Sequence, residues 1–227
     1  MEGEIIPLFQ IGPIAITNTI VTTWIVTGFI GLSAWLFTRR LSLEPNRRQI
    51  IVEGIVSAIE DAVIAVDPSY GRKIMPFIGS LWIFLVTANL CGLIPGLHSP
   101  TRDLSLTAAL AFLVFLSVHW FGIRSQGIRN YLRHYLFPNP VLLPFHIISE
   151  ITRTVALAVR LFGNMMSLEL AALLVLLVAG FLAPIPILML HIVEALVQAY
   201  IFGMLALIYV VGGMQSQLLK QEKRNSS

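Results

Sequence analysis

Four apolar stretches of the sequence are each long enough to cross a lipid bilayer as an α-helix, which takes about 20 residues. They are Ile14–Phe37, Phe77–Leu97, Leu104–Ile123 and Ile187–Val211. One more apolar region, Leu142–Gly180, lies between the last two of these and is the fourth span along the chain. As one helix it would measure about 58 Å, nearly twice the thickness of the hydrocarbon core. This long fourth span must therefore tilt steeply or run partly within the membrane plane.

The composition is also that of a membrane protein, because 56% of the 227 residues are hydrophobic and 12% are charged. Soluble domains are about 25% charged. A single cysteine, Cys91, excludes an intrachain disulfide, and the five histidines are too scattered to predict a zinc site. We expect no metal site, no cofactor and no nucleic-acid partner. The sequence predicts an all-α membrane protein with one membrane domain over residues 1–227, whose first span is retained and not cleaved as a signal peptide.

The basic residues predict the orientation of the chain in the membrane. Only Arg102 lies in a loop after an even-numbered span, while Arg153 and Arg160 lie inside the long fourth span. The other twelve of the fifteen Lys and Arg residues follow the first, third or fifth span: Arg39, Arg40, Arg47, Arg48, Arg72, Lys73, Arg124, Arg129, Arg133, Lys220, Lys223 and Arg224. The positive-inside rule then places the N-terminus outside and the C-terminus in the cytoplasm.

The segment between the first two spans has its own helical pattern. Residues 47–67 carry acidic residues at positions 53, 60, 61 and 67 on an apolar background. This pattern is typical of an amphipathic helix that lies on a membrane surface, here on the cytoplasmic side.

Arg160 is a charge in the middle of the long fourth span, with no acidic residue within four positions on either side. An arginine at a bilayer centre costs roughly 2.5–3.5 kcal/mol on insertion scales. Small or polar residues share its helical face, which allows another helix to approach closely. These residues are Ser149, Arg153, Ala156, Gly163, Asn164, Ser167 and Ala171. Packing against a span of the same chain is one interpretation. Because no other span carries a suitable acid, apart from Glu194, a partner subunit that brings a carboxylate is favoured.

The last two spans are joined by a short turn, so they should form an antiparallel hairpin. Counting from the turn predicts three polar levels, Arg160 with Gln198, Asn164 with Glu194, and Glu169 with His191, spread over about 13 Å. Hydrogen bonds that only tie the helices together would explain a single Asn or Gln. Ionisable residues at successive depths favour a function in ion passage. Glu169 points away from Arg160 on a straight helix. Either the polar ladder lies inside the subunit while Arg160 faces outward, or the helix twists near Gly163.

Three segments together resemble subunit a of the F-type ATP synthase, the stator subunit that conducts ions beside the rotating c-ring. They are ALAVRLFGNMMSLE at 156–169, HIVEALVQAYIF at 191–202 and TANLCGLIPG at 87–96. The rest of the chain matches that family in hydropathy and span order.

The resemblance implies a role for each polar residue of the hairpin. Arg160 is expected to face the c-ring carboxylate. Glu169, His191, Asn164 and Gln198 are expected to line the half-channel that opens to the outside. The sequence departs from the family's common pattern at three positions: Ala156 stands where many relatives have Ser, Thr154 where many have Pro, and Glu194 is an additional acid.

The resemblance also implies the partners and the kind of activity. The expected partners are the c-ring, the peripheral-stalk b subunits, the lipid bilayer and the transported H⁺ or Na⁺. The chain is expected to couple ion flow to ATP synthesis and to have no catalytic chemistry of its own. Glu150 and His146 are candidates for the cytoplasmic exit, with helix capping or surface exposure as the alternative for both.

Two other classes of function were considered. A free-standing secondary transporter would use the same buried charges as a binding site, but it is typically built from broken helices and internal repeats, and the sequence shows neither. A purely structural assembly subunit is disfavoured by the unpaired Arg160.

Overall fold

The computed structural model describes residues 9–11, 14–39, 46–94, 99–128, 143–180 and 185–215. In chain order the elements are β1 (Phe9–Ile11), β2 (Ile14–Ile16), α1 (Asn18–Thr38), α2 (Arg47–Val66), α3 (Gly71–Cys91), the 3₁₀ turn Pro100–Arg102, α4 (Leu104–Gln126), α5 (Leu143–Ala179) and α6 (Ile185–Gln215). Five of the helices, α1 and α3 to α6, are long and apolar enough to cross a membrane. The predicted all-α membrane fold with five spans is therefore confirmed.

The first span begins later than the sequence predicted. Residues 14–16 were assigned to the helix, but they form β2, which pairs antiparallel with β1 so that Phe9 lies opposite Ile16. Because the backbone groups of these residues are used in the strand pair, α1 starts at Asn18. The first helical hydrogen bond runs from Ile20 N to Thr17 O at 3.1 Å.

The second span begins six residues before the predicted Phe77 and ends at Cys91. Asp67 makes this early start possible, because its carboxylate accepts hydrogen bonds from the backbone N–H groups of Ser69 at 2.7 Å and Tyr70 at 3.2 Å. Pro76 lies inside the helix and removes one hydrogen bond, to the carbonyl of residue 72 in the first turn. A lost bond near a helix end is tolerated better than one in the bilayer centre.

The other spans are longer than predicted or match closely. The α4 helix ends at Gln126 and not at Ile123, so that Arg124 lies in its last turn. The α5 helix is one continuous run of 37 residues, about 56 Å long at 1.5 Å per residue. Gly180, with φ +84°, follows it in a conformation that favours glycine. The α6 helix begins two residues before and ends four residues after the predicted Ile187–Val211.

Some predictions fall on residues that the structure does not describe. These include part of the second span at 95–98, the turn residues 181–184, and the basic residues Arg40, Arg129, Arg133, Lys220, Lys223 and Arg224, which all lie outside the described residues.

The core lies where α3, α4, α5 and α6 pack together, with α6 at its centre. Ala195, Ala199, Phe202 and Leu207 of α6 are fully or almost fully buried, and half of the most apolar segment of this helix is buried. In α1 and in α5 the corresponding fraction is 11%. The exposed faces of these two helices are apolar, as expected for surfaces that meet lipid tails.

A close contact between α3 and α6 fixes their relative position. The indole N–H of Trp82 donates a hydrogen bond to the backbone oxygen of Tyr200 at 3.3 Å, and the two rings stack with centroids 5.9 Å apart. A Cβ atom at Gly203 would overlap the indole of Trp82. The absence of a side chain at Gly203 is therefore what lets α3 approach α6.

The predicted amphipathic helix is present as α2. Val63, on one side of this helix, is fully buried in the core, while Ile50, Ile51 and Ile55 are more than half exposed. Such an exposed apolar stripe suits contact with lipid, and the placement of α2 at the membrane surface stays a prediction.

Candidate functional site

Arg160 lies on the exposed face of α5, pointing away from the core. The opposite side of this helix is buried through Leu157, Leu161 and Met165. Among the residues that the structure describes, no carboxylate forms an ion pair with the Arg160 guanidinium. The helix runs unbroken past Gly163, so the arginine faces outward without a local twist.

The predicted small-residue face of α5 surrounds Arg160. Its other members are exposed (Ser149, Arg153, Ala156 and Ser167) or partly exposed (Gly163 and Ala171). A Cβ atom at Gly163 would meet no atom within 4 Å. The Arg153 guanidinium lies over the ring of Tyr209, 5.4 Å from its centroid. This face therefore offers an open, shallow surface to a partner helix.

In the described part of the α5–α6 hairpin a side-chain hydrogen bond joins the two helices, and the residues that it joins differ from those that the sequence placed at one depth. The side-chain N–H of Asn164 donates to Gln198 Oε1 at 2.7 Å, whereas the sequence paired Gln198 with Arg160 and Asn164 with Glu194. Asn164 lies 15 residues before the end of α5 at Ala179, and Gln198 lies 13 residues after the start of α6 at Ile185. The observed pairing is thus shifted by about one helical turn.

Two side-chain nitrogens near this contact are buried without a hydrogen-bond partner. One is Gln198 Nε2 and the other is His191 Nε2, in residues that are 1% and 3% exposed. Buried polar atoms normally have a protein or water partner. Water molecules in this part of the structure would satisfy the two nitrogens.

Glu169 is held by a residue from another element. Its carboxylate Oε1 lies 2.6 Å from Nη1 of Arg102, at the end of the 3₁₀ turn before α4. The Glu169 side chain is 17% exposed, and the Arg102 side chain is 38% exposed. Glu194 on α6 is partly buried. Glu169 therefore belongs to the interior side of α5, and Arg160 belongs to the outer side.

A buried polar network anchors the turn that carries Arg102. Thr101 Oγ1 donates to Asn89 Oδ1 at 2.8 Å, and Asn89 Nδ2 donates to the backbone oxygen of Ala195 at 3.1 Å. Ser99 Oγ lies 2.6 Å from Thr101 Oγ1 and 3.0 Å from the backbone oxygen of Ala88. This network ties the 3₁₀ turn to both α3 and α6.

At the other end of α5, Glu150 lies beside His119 of α4. Glu150 Oε2 is 3.7 Å from His119 Nε2, and His119 Nδ1 is 2.9 Å from the backbone oxygen of Phe115. A carbonyl oxygen only accepts, so Nδ1 carries a proton. A cavity of about 20 Å³, lined by Glu150, Arg153 and Tyr209 among others, adjoins this pair. His146, the other exit candidate, is exposed one turn earlier.

Comparison with protein families decides what this arrangement belongs to. The model described as "ATP synthase A chain" matches residues 20–211. The chain belongs to this family. ATP synthase subunit a 2 of Pelobacter propionicus is 64% identical over 209 residues, 92% of this chain and 92% of the relative. ATP synthase subunit a 1 of Hahella chejuensis is 64% identical over 215 residues, 94% and 92% of the two chains. ATP synthase subunit a of Legionella pneumophila is 57% identical over 215 residues, 94% of each chain.

Membership of the ATP synthase A chain family, together with the five apolar helices, establishes the chain as an integral membrane protein of the ATP synthase.

Sequence reasoning missed three residues of the site in this family member. Arg102 had a signal, because it is the one basic residue that the loop pattern placed outside. Asn89 lies in the quoted TANLCGLIPG segment but had been given no role, and His119 had no signal in the sequence.

Proposed function

We propose that the chain is the ion-translocating stator subunit of a rotary F-type ATP synthase, with Arg160 facing the c-ring carboxylate. The observation that carries this proposal is the position of Arg160, exposed on a face of small residues, with no ion pair among the described residues. Although Arg160 is exposed on the surface of the subunit, it lies within a membrane-spanning helix, where a guanidinium needs a counter-charge. A carboxylate on a partner helix that docks on this face supplies it.

The chemistry of this contact follows from the charges. A ring carboxylate crosses lipid only when H⁺ or Na⁺ neutralises it, because an ionised group in hydrocarbon is costly. Beside Arg160 the ionised form is stabilised, so the carboxylate releases its ion there. Arginine suits this role because it stays protonated. The chain itself contributes no bond-making chemistry. It couples ion flow to rotation, and its partners are the c-ring and the peripheral-stalk b subunits.

The two half-channels are assigned to opposite ends of the long helix. The outer one is formed by Glu169, His191, Asn164, Gln198 and Glu194, and the orphaned nitrogens of His191 and Gln198 support a water-accessible path there. The cytoplasmic one begins near Glu150 and His146, where Glu150 and His119 lie beside each other between α4 and α5 and a small, mainly apolar cavity adjoins them.

The orientation that this assignment requires has the N-terminus outside and the C-terminus in the cytoplasm of a bacterial inner membrane. Among the described residues, Arg39, Arg47, Arg48, Arg72 and Lys73 then all lie on the cytoplasmic side. A C-terminal tag should be cleaved by protease only in inside-out vesicles.

The direct test is ATP synthesis by the reconstituted complex under an imposed ion gradient. Arg160→Ala should abolish synthesis, and Arg160→Lys should also fail to couple because a lysine can lose its proton. Both variants should still assemble. Arg72→Ala, which removes an arginine that pairs at the surface with Glu60 at 3.5 Å, is the matched control and should retain synthesis. Near-normal synthesis by the Arg160→Ala complex contradicts the proposal.

A further inference from the structure

The 2.6 Å contact between Arg102 and Glu169 joins two elements that are 67 positions apart in the chain. Arg102 comes from the short turn between α3 and α4, and Glu169 comes from the last third of α5. The contact is a charge-assisted hydrogen bond, which is shorter and stronger than one between neutral groups. Arg102, in the 3₁₀ turn before α4, is therefore bound to the Glu169 carboxylate, which is the group that would bind ions in the proposed outer half-channel.

The position of Arg102 is set by groups that do not belong to the ion path. Thr101, its neighbour, is fully buried and bonded to Asn89, which is itself bonded to α6. On the other side, the carboxylate of Asp103 accepts the backbone N–H of Ser105 at 2.9 Å and caps α4. With both neighbours fixed, the Arg102 side chain extends from a rigid base. Its reach to Glu169 is thus built into the fold.

We propose that Arg102 competes with the translocated cation for Glu169, and thereby weakens ion binding at the outer entrance of the half-channel. This inference rests on the proposed function. A cation binds the Glu169 carboxylate only if the guanidinium moves aside. Conduction requires sites that bind an ion strongly enough to admit it and weakly enough to release it. Arg102 lowers the affinity of the Glu169 carboxylate for the cation.

The surroundings of Glu169 explain why such a competitor is needed. Glu194 and His191 lie on α6, and Asp103 follows Arg102 in the turn. Two further carboxylates near the outer end of the helices would, without a fixed positive charge, favour a trapped cation. In the part of the chain that the structure describes, Arg102 is the cation that forms an ion pair with Glu169.

The test is the dependence of ATP synthesis on the ion concentration outside, measured on the intact reconstituted complex at constant membrane potential. Proton-driven and Na⁺-driven synthesis are measured separately. In Arg102→Gln, the half-saturating concentration of the driving ion should fall by about two- to fivefold, the upper part of the range expected for a partly exposed ion pair. Arg102→Lys, which keeps the charge, should stay within about twofold of the wild type.

A purely structural tie between the turn and α5 predicts a different result. It would lower the amount or thermal stability of the complex and leave the half-saturating concentration unchanged, which would overturn the proposal. Arg102→Gln combined with Glu169→Gln is the second readout. If the two residues act through each other, Arg102→Gln should cause no further shift in the Glu169→Gln background. An additive shift would also overturn it.

Failure of this inference is distinguishable from failure of the proposed function. A wild-type complex that shows no ion-driven synthesis, or an Arg160→Ala complex that retains it, contradicts the proposed function. A coupled wild type in which Arg102→Gln has the wild-type ion dependence contradicts only the competition by Arg102.

Discussion

Asn164 and Gln198 are joined by a 2.7 Å hydrogen bond between their side-chain amides, on facing surfaces of the α5–α6 hairpin. Gln198 is 1% exposed, and while its Oε1 accepts this bond, its amide nitrogen Nε2 has no partner among the described residues. The bond consequently sets the register of the two longest helices. It also leaves one polar group of the pair directed toward the proposed outer half-channel.

This hydrogen bond should contribute measurably to the stability of the subunit. Gln198→Leu leaves the Asn164 amide without its acceptor and should lower the free energy of unfolding by about 1 kcal/mol. The double variant Asn164→Leu with Gln198→Leu should recover part of that loss, because both polar groups are then removed. A double-mutant cycle measured by denaturant unfolding in detergent checks this. Additive single effects would contradict a direct bond.

The close approach of α3 to α6 gives a second stability prediction. Gly203→Ala places a methyl group where the Trp82 indole lies, and overpacking of this kind costs about 1–3 kcal/mol. The melting temperature of the purified subunit should fall accordingly. Gly212→Ala is the matched control in the same helix, since a Cβ atom there meets nothing within 4 Å. It should be neutral or stabilising. A Gly203→Ala protein as stable as the control would contradict the packing.

The helices could be predicted from the sequence because membrane spans obey a length rule that needs no tertiary information. An apolar run of 20 or more residues must be helical in lipid, since its backbone groups have no other partners. The misplaced ends have local causes. Ile14–Ile16 had the hydropathy of a span but form a strand pair, and the second span, predicted from Phe77, begins at Gly71 and contains Pro76.

The register of the hairpin and the partner of Glu169 could not be predicted in the same way. Matching residue numbers across a hairpin predicts which residues lie at the same depth, whereas the side chains that bond each other, such as Asn164 and Gln198, also depend on how the two helices rotate and pack. The contact with Arg102 depends on how the 3₁₀ turn is anchored by Asn89, a tertiary contact over 12 positions. By contrast, helical periodicity predicted that Arg160 and Glu169 lie on different faces of a straight helix, and the unbroken α5 helix has that arrangement.

The proposed outer half-channel predicts a pattern of chemical accessibility. Cysteine placed at Glu169 or His191 should react with silver ions added from the outside, although the native side chains are 17% and 3% exposed. Water in the half-channel provides the access. Cysteine at Leu161, which is fully buried in the core, is the control and should not react. If both channel positions prove inert, the assignment of the half-channel is wrong.

The docking of the rotor predicts which side of α5 forms crosslinks. Ala156 and Ser167 share the exposed small-residue face with Arg160, and cysteines at these positions should form disulfides with cysteines on the c-ring helix that carries the carboxylate. Val155 provides a matched control because it is 54% exposed, lies at nearly the same depth as Ala156, and points about 100° away around the helix. A cysteine at Val155 should face lipid and form no crosslink. Rotation brings each c subunit past this face, so the single disulfide of each molecule should form with whichever c subunit lies opposite. Crosslinks from Val155 equal to those from Ala156 would mean that the ring meets a different face, and the Arg160 contact with its carboxylate would then have no structural basis.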